Sequence, residues 1–176
     1  MRVLESERLL IKPVEKEDLQ YLLELRWDAS VMNFLIHEPL SMADQERWFD
    51  RLDNRNCPCC IYMKSENGPE RAGTVGLYDI STRHQRGTWR IRIDPAQQGK
   101  GVATEATTMM LDYGFNTLNL HKIISDSFKD NQAIVKLSLK LGFTQEGLLR
   151  EHYYHQGKHR DAIQFGMLKE QFNSKP

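Results

Sequence analysis

The chain lacks an excess of charge of either sign: 24 lysines and arginines balance 24 aspartates and glutamates over 176 residues. Such a balance creates no field that would gather nucleic acid or an anionic membrane surface, so neither is an expected partner. Long apolar runs are missing too, which excludes a transmembrane segment. The opening stretch, Met1-Arg2-Val3-Leu4-Glu5-Ser6-Glu7-Arg8, carries charges where a signal peptide needs apolar residues. The expectation is a soluble, cytoplasmic protein. Cysteine is scarce and clustered, at Cys57, Cys59 and Cys60 only. An odd, crowded set makes no disulfide framework. A zinc site needs a fourth ligand and wider spacing, so no metal is expected. Cys59-Cys60-Ile61-Tyr62-Met63 reads instead as a buried strand in which cysteine serves as a small hydrophobe. Repeats, low-complexity segments and linkers are absent as well. One domain over residues 1–172, with a short tail at 173–176, is predicted.

What the chain does have is apolar periodicity with clear punctuation. Residues 7–14 read as a first strand ending near Pro13. Leu19, Leu22, Leu23 and Trp27 recur at the spacing of a helix face over 15–27. Ser41, with Asp44 three residues on, predicts a capped second helix that turns Trp48, Phe49 and Leu52 inward. Strands follow at 59–65, 72–80 and 87–93. A long helix is expected over 104–118, with Ala103, Thr107, Met110, Leu111, Gly114 and Phe115 on one face. Residues 121–128 form a strand, and 131–141 a short helix that buries Ile134, Leu137 and Leu141. Gly142 supplies its left-handed cap. Segments 144–155 and 160–168 close the chain as a hairpin around Gly157-Lys158. The order β-α-α-β-β-β-α-β-α-β-β predicts a single α/β domain of the α+β type, built on one mixed sheet.

The chemistry concentrates at Asp94-Pro95-Ala96-Gln97-Gln98-Gly99-Lys100-Gly101-Val102-Ala103-Thr104-Glu105. Two glycines one residue apart, at a strand-to-helix turn, leave backbone N–H groups open beside the positive end of a helix dipole. That arrangement attracts phosphate. A dinucleotide fingerprint needs a third glycine where Thr104 stands, and a Walker loop needs Gly-Lys-Ser/Thr, so both readings fail.

Gln98-Gly99-Lys100-Gly101-Val102-Ala103 resembles the Gln/Arg-x-x-Gly-x-Gly/Ala signature of the GCN5-related N-acetyltransferases. Three further stretches are similar to that family: Leu118-Asn119-Leu120-His121-Lys122-Ile123, Asn131 with Lys140-Leu141-Gly142-Phe143, and Glu146-Gly147-Leu148-Leu149-Arg150-Glu151 with Gly157 and Asp161. Ser6-Glu7-Arg8-Leu9-Leu10-Ile11 resembles the opening strand of the subgroup that holds ribosomal-protein N-terminal acetyltransferases and spermidine acetyltransferases. The resemblance implies splayed central strands with the acyl-CoA arm lying in the gap. It implies acetyl-CoA as co-substrate, held by the backbone of Ile91, Arg92 and Ile93 and by Gln98, Gly99, Lys100, Gly101, Val102, Ala103 and Thr104. Asn131 would bond the pantetheine arm or simply cap its helix.

The thioester is already activated, so catalysis asks for a positioned neutral amine, removal of a proton and protonation of the departing thiolate. Relatives carry Glu where this chain has Thr88, and Tyr where it has Ser138. Asp79, which stands where relatives often carry an acidic residue, and Ser138 are the catalytic candidates the resemblance implies, with His37, Glu38, His152 and His155 as further candidate bases. His37, Glu38, Thr88 and Tyr153 are assigned to the acceptor cleft. Arg90 and Arg92 alternate with Trp89, Ile91 and Ile93; they form the solvent face of their strand or favour an acceptor bearing phosphate or carboxylate. Polyamines, protein N-termini and amino sugars are the acceptor classes in view. An acyl-CoA sensor or accessory protein with little turnover is the alternative, and a homodimer is compatible with the aromatics of the closing hairpin. Tyr153-Tyr154-His155 could stack single-stranded nucleic acid, but no basic run accompanies it.

Overall fold

Strict alternation in Trp89-Arg90-Ile91-Arg92-Ile93 puts apolar side chains on one face of a strand and arginines on the other. The sheet is organised around that strand. The computed structural model describes residues 2–34 and 41–174. In chain order its elements are β1 (Leu4–Glu5), β2 (Leu9–Pro13), α1 (Leu19–Trp27), α2 (Ala29–Met32), α3 (Met42–Asp50), β3 (Cys57–Met63), β4 (Glu70–Ser81) and β5 (Arg86–Ile93). Then come α4 (Val102–Asp112), β6 (Lys122–Phe128), α5 (Gln132–Lys140), β7 (Thr144–His155), β8 (Lys158–Leu168) and α6 (Lys169–Asn173). The strands form one sheet in the order β1-β2-β3-β4-β5-β6-β8-β7. Every neighbouring pair is antiparallel except β5 and β6, which are parallel and joined by the α4 crossover. The mixed α/β architecture expected from the element order is the one observed.

The face of β5 that carries Trp89 packs against α4. Leu77, Trp89, Met110, Leu111, Phe115, Ile123, Phe165 and Met167 form the main core, and Trp89 stacks on Phe143 at 5.4 Å. On α4 the fully buried stripe is Val102, Ala106 and Met110 with Thr107 and Leu111; Ala103, expected inward, is only half-buried. The expected helix over 104–118 is also two pieces. The α-helix stops at Asp112 and a π-helical turn covers Tyr113–Thr117. Close packing accompanies that change of winding: a Cβ on Gly114 would lie 2.8 Å from Ile123 Cδ1 and 2.9 Å from Leu77 Cδ1.

The opposite face of the sheet is covered by α1 and α3, through Val14, Leu19, Leu22 and Cys60 with Trp48, Phe49 and Tyr62. Cys59 and Cys60 are fully buried in β3, as the strand reading requires. Buried Asp18 secures the entry to α1, accepting from Tyr62 Oη at 2.6 Å and Arg71 Nε at 2.9 Å. The Ser41–Asp44 capping box opens α3. That helix ends at Asp50, so Leu52 lies beyond it, and its one buried residue is Gln45. One further correction concerns α1. Trp27, expected on its inner face, is 50 % exposed, while Arg26 is half-buried beneath it.

The C-terminal elements fall where the sequence places them, but Ile134 and Leu137, expected buried, are half-buried, and the one fully buried residue of α5 is Ser138. Gly142 takes φ +83° after α5, and Gln156 and Gly157, both left-handed, turn the closing hairpin. No helix among the described residues is long and apolar enough to cross a membrane.

Candidate active site

The parallel pairing of β5 with β6 is brief. It joins Arg86 to Lys122, Gly87 to Ile123 and Thr88 to Ile124, and then stops. Beyond Thr88, β5 continues along β4 to Ile93, whereas β6 continues along β8 to Phe128. The two strands therefore open a V, with Thr88 and Ile124 at its fork. On the β6 side of that V, Trp89 to Ile93 have no described strand partner, so their backbone can accept an extended ligand as an added strand. Ile91, Arg92 and Ile93 were expected to hold acyl-CoA in this manner.

The glycine turn lies where β5 leads into α4. Gly99 and Gly101 adopt φ +75° and +81°, conformations that favour glycine. A Cβ on Gly99 would meet nothing within 4 Å, and one on Gly101 would meet only Arg8 Nη2 at 3.6 Å. The cradle is thus open to solvent. Gly101 is the N-cap of α4 and no side chain caps the helix. The first-turn N–H groups of Val102, Ala103 and Thr104 have no intrahelical acceptor. Together with the helix dipole they suit a pyrophosphate. Gln98 Nε2 donates to Ile93 O at 3.3 Å and ties the loop to its strand. Lys100 Nζ donates to Gln97 Oε1 at 2.9 Å. Its carbonyl accepts from both terminal nitrogens of Arg8, which also pairs with Glu105 at 2.6 Å. Burial works to raise the Glu105 pKa, but hydrogen bonds from Ser6 and Arg8 outweigh it and hold the carboxyl below its usual range. Arg8 as a brace for this loop was not legible in the sequence, since its partners lie more than ninety residues away.

Across the V, Asn131 is the N-cap of α5 and accepts from Ile134 N at 3.3 Å. Its capping role is observed. Ser138 follows two turns later on the same helix face. It is fully buried, and its Oγ has no hydrogen-bond partner. A buried orphan hydroxyl is uncommon in a native interior and calls for an explanation.

The second face of β5 presents Thr88, Arg90 and Arg92. Their partners on β4 are Tyr78, Gly76 and Thr74, which share that face. Arg90 lies over the Tyr78 ring at 5.2 Å. Arg92 is half-buried rather than solvent-facing. Burial, reinforced by the charges of Arg26 and Arg90, pulls its pKa down to about 10. Arg26 projects from α1 onto the same face, and its pKa is lowered by burial too. Its Nε is buried without a partner. The sequence held one clue to Arg26: it falls on the helix stripe defined by Leu19, Leu22 and Leu23.

On the other arm, Tyr153 Oη donates to Asp126. Burial, then Asp126, push the Tyr153 pKa upward, against an opposing influence from Arg90 across the fork. Tyr153 packs edge-on against Phe128 at 5.5 Å and against exposed His152 at 4.6 Å. His155 lies 5.3 Å from Phe128. Asp79 occupies a bulge in β4 with φ 50°. Its side chain is 72 % exposed and stands 3.9 Å from Arg90. Thr88 is buried at the fork. His37 and Glu38 lie outside the described residues. The structure thus places Thr88 at the fork and the glycine loop at the end of the unpaired stretch of β5, with Asn131 and Ser138 on α5 and Tyr153 on β7. It leaves Asp79 exposed on the bulge beside Tyr78.

Residues 8–144 match the family model described as an acetyltransferase (GNAT) domain. The chain is 34% identical over 163 residues to spermidine N(1)-acetyltransferase of Escherichia coli K12, covering 92% of this chain and 87% of that protein. It is 27% identical over 168 residues to spermidine N(1)-acetyltransferase of Vibrio cholerae, covering 95% and 96% of the two chains. A crystal structure of spermidine N-acetyltransferase from Vibrio cholerae in complex with CoA and spermine superposes with a TM-score of 0.88. That alignment, at 27% identity, covers 96% of this chain and all of the other.

Proposed function

Because the chain belongs to the GNAT acetyltransferase family, we propose that it transfers the acetyl group of acetyl-CoA to a primary amine bound on the arginine-bearing face of the V. One observation carries this reading. The V between β5 and β6 opens beside an uncapped α4 N-terminus whose two left-handed glycines leave the approach clear. An extended arm fits the gap, and a pyrophosphate fits the helix end. The pairing of Arg8 with Lys100 O and Glu105 keeps the loop in place before any ligand arrives, which lowers the ordering cost of binding.

In the reaction, the amine nitrogen forms a bond to the thioester carbonyl carbon and the carbon–sulfur bond breaks. The nitrogen gives up a proton, and the sulfur leaves as a thiolate that must gain one. Holding the two reactants in line supplies most of the acceleration, since the acyl group is already activated. Ser138 Oγ, buried and without a partner, is available to donate a hydrogen bond to the thiolate. Asp79 receives the ammonium proton through water, as its exposure on the bulge permits. Thr88 and Tyr153 line the acceptor side of the fork.

The names of the relatives favour a polyamine acceptor, spermidine in both cases. The cytoplasm is the proposed setting, because three cysteines crowded at 57, 59 and 60 make no disulfide framework of the secreted kind.

The test is direct. Acetyl-CoA binding is measured by calorimetry, and CoA thiol release is followed over a panel of polyamines, amino sugars, amino acids and peptides. Micromolar binding with amine-dependent thiol release is expected. Absence of acetyl-CoA binding would overturn the reading.

A further inference from the structure

An arginine does not ordinarily occupy the inner stripe of an amphipathic helix while the adjacent tryptophan is exposed. Arg26 does so on α1, with Trp27 50 % exposed beside it. Its charge falls on the sheet face that already carries Arg90 and Arg92. Arg90 lies over the Tyr78 ring at 5.2 Å, the charges of Arg26 and Arg92 also reach Tyr78, and little offsets these last two. Among the described residues, neither Arg26 nor Arg92 has an ion pair or a side-chain hydrogen bond, and Arg26 Nε is buried and unpartnered. Asp79 approaches Arg90 only at 3.9 Å, with most of its surface in water. Asp126 is engaged by Tyr153. On α1 itself, Glu24 is bonded to Gln20, and Asp28 caps α2. Nor does packing explain the cluster, because an apolar side chain at position 26 would complete the stripe of Leu19, Leu22 and Leu23 at lower cost.

Arg90 is exposed and has Asp79 and the Tyr78 ring beside it, but the half-buried, unpaired charges of Arg26 and Arg92 are destabilising in the free protein. They become favourable when an oxyanion lies between them, because the guanidinium fork matches carboxylate and phosphate in geometry and charge. We propose that Arg26, Arg90 and Arg92 form an oxyanion subsite that binds a carboxylate or phosphate carried by the amine acceptor. The inference rests on the acetyl-transfer reading and narrows its substrate class. The acceptor holds its amine toward Thr88 at the fork and its anionic group on the arginines. A wholly cationic polyamine would meet repulsion on this face, so the chain departs in acceptor from the relatives whose fold it shares.

Matched pairs of amines test this on the full chain: glucosamine with glucosamine 6-phosphate, ethanolamine with phosphoethanolamine, and butylamine with γ-aminobutyrate, with spermidine alongside. The phosphate and carboxylate arms separate the two oxyanions. At least one anionic member should exceed its neutral partner and spermidine in kcat/KM by about a hundredfold. Arg26→Gln and Arg92→Gln should each raise KM for that acceptor about tenfold or more. Arg26→Gln, which lies outside the acyl-CoA strand, should leave KM for the neutral partner and the calorimetric Kd for acetyl-CoA within about twofold. Arg92→Lys, which keeps the charge but loses the fork, should fall between wild type and Arg92→Gln. Preference for spermidine, turnover on none of the anionic amines, or variants with unchanged KM would overturn the proposal. So would an equal loss of acetyl-CoA affinity, which would assign the arginines to the CoA phosphates. Because acetyl-CoA binding is read separately, failure of the subsite is distinguishable from failure of the transferase reading.

Discussion

Replacing Arg92 by glutamine is expected to make the free protein more stable. An arginine in water keeps its proton far into the alkaline range, whereas Arg92 is drawn down to about 10 by burial and by Arg26 and Arg90. Each tenfold change in the ionisation constant is worth about 1.4 kcal/mol, so keeping Arg92 charged in the fold costs up to roughly 3 kcal/mol. The side chain retains some contact with water, and screening reduces this to about 1–2 kcal/mol. The charged form is the one that the fold disfavours. The penalty is therefore complete at neutral pH and is relieved only as pH rises through about 10 toward the unfolded-state value. For a chain of this length the gain corresponds to a rise in Tm of about 2–8 °C. Thermal and urea unfolding of wild type and Arg92→Gln at pH 7.5 and low salt would measure it, with the difference constant between pH 6 and 8. Phosphate should narrow the gap by stabilising the wild type more than the variant. A variant less stable than wild type by more than about 1 kcal/mol would refute the reasoning, because it would mean that Arg92 is already compensated in the free chain.

Gly101→Glu should fold with a loss of about 1–2 kcal/mol from left-handed strain and should bind acetyl-CoA at least a hundredfold more weakly by calorimetry; normal binding would show that the loop is not the pyrophosphate site. Ser138→Ala should leave Tm unchanged or slightly raised, since the hydroxyl has no partner to lose, while kcat falls severalfold at constant KM for acetyl-CoA. An unaltered kcat would remove Ser138 from the chemistry. Asp18→Ala should cost about 3–5 kcal/mol in urea unfolding, because it strands Arg71 and the Tyr62 hydroxyl. Burial alone would raise the Asp18 pKa, but hydrogen bonds from Tyr62, the Glu15 backbone and Arg71 win and lower it. Its stabilisation is thus complete above the ordinary aspartate range and is lost as pH falls through the depressed value, a decline that the variant should lack.

The strands and the glycine turn were legible because their signals are local. Alternation in residues 89–93 and the clustered cysteines of β3 need only a period of two and a hydrophobic face. Gly99 and Gly101 announce left-handed backbone whatever surrounds them. The Ser41–Asp44 box and the Gly142 cap were read for the same reason. Errors arose where a distant neighbour decides. Hydrophobicity alone places Trp27 inward, whereas in the fold Arg26 takes the half-buried position and Trp27 is 50 % exposed. The helix beyond Asp112 was read as regular, although close contact of Gly114 with Leu77 and Ile123 accompanies a π-helical turn there. Leu52 was counted in a helix that ends at Asp50.

By itself the sequence determined that residues 98–104 form an open glycine turn between a strand and a helix, since local backbone geometry and side-chain period suffice for that. Only the tertiary structure decided what stands opposite. Splaying of β5 from β6 at Thr88, the brace from Arg8 to Lys100, and the meeting of Arg26 with Arg90 and Arg92 join residues far apart in the chain. Charge and burial at such meetings belong to the assembled fold, because the energy of a cation depends on what the fold places beside it and how much water it removes.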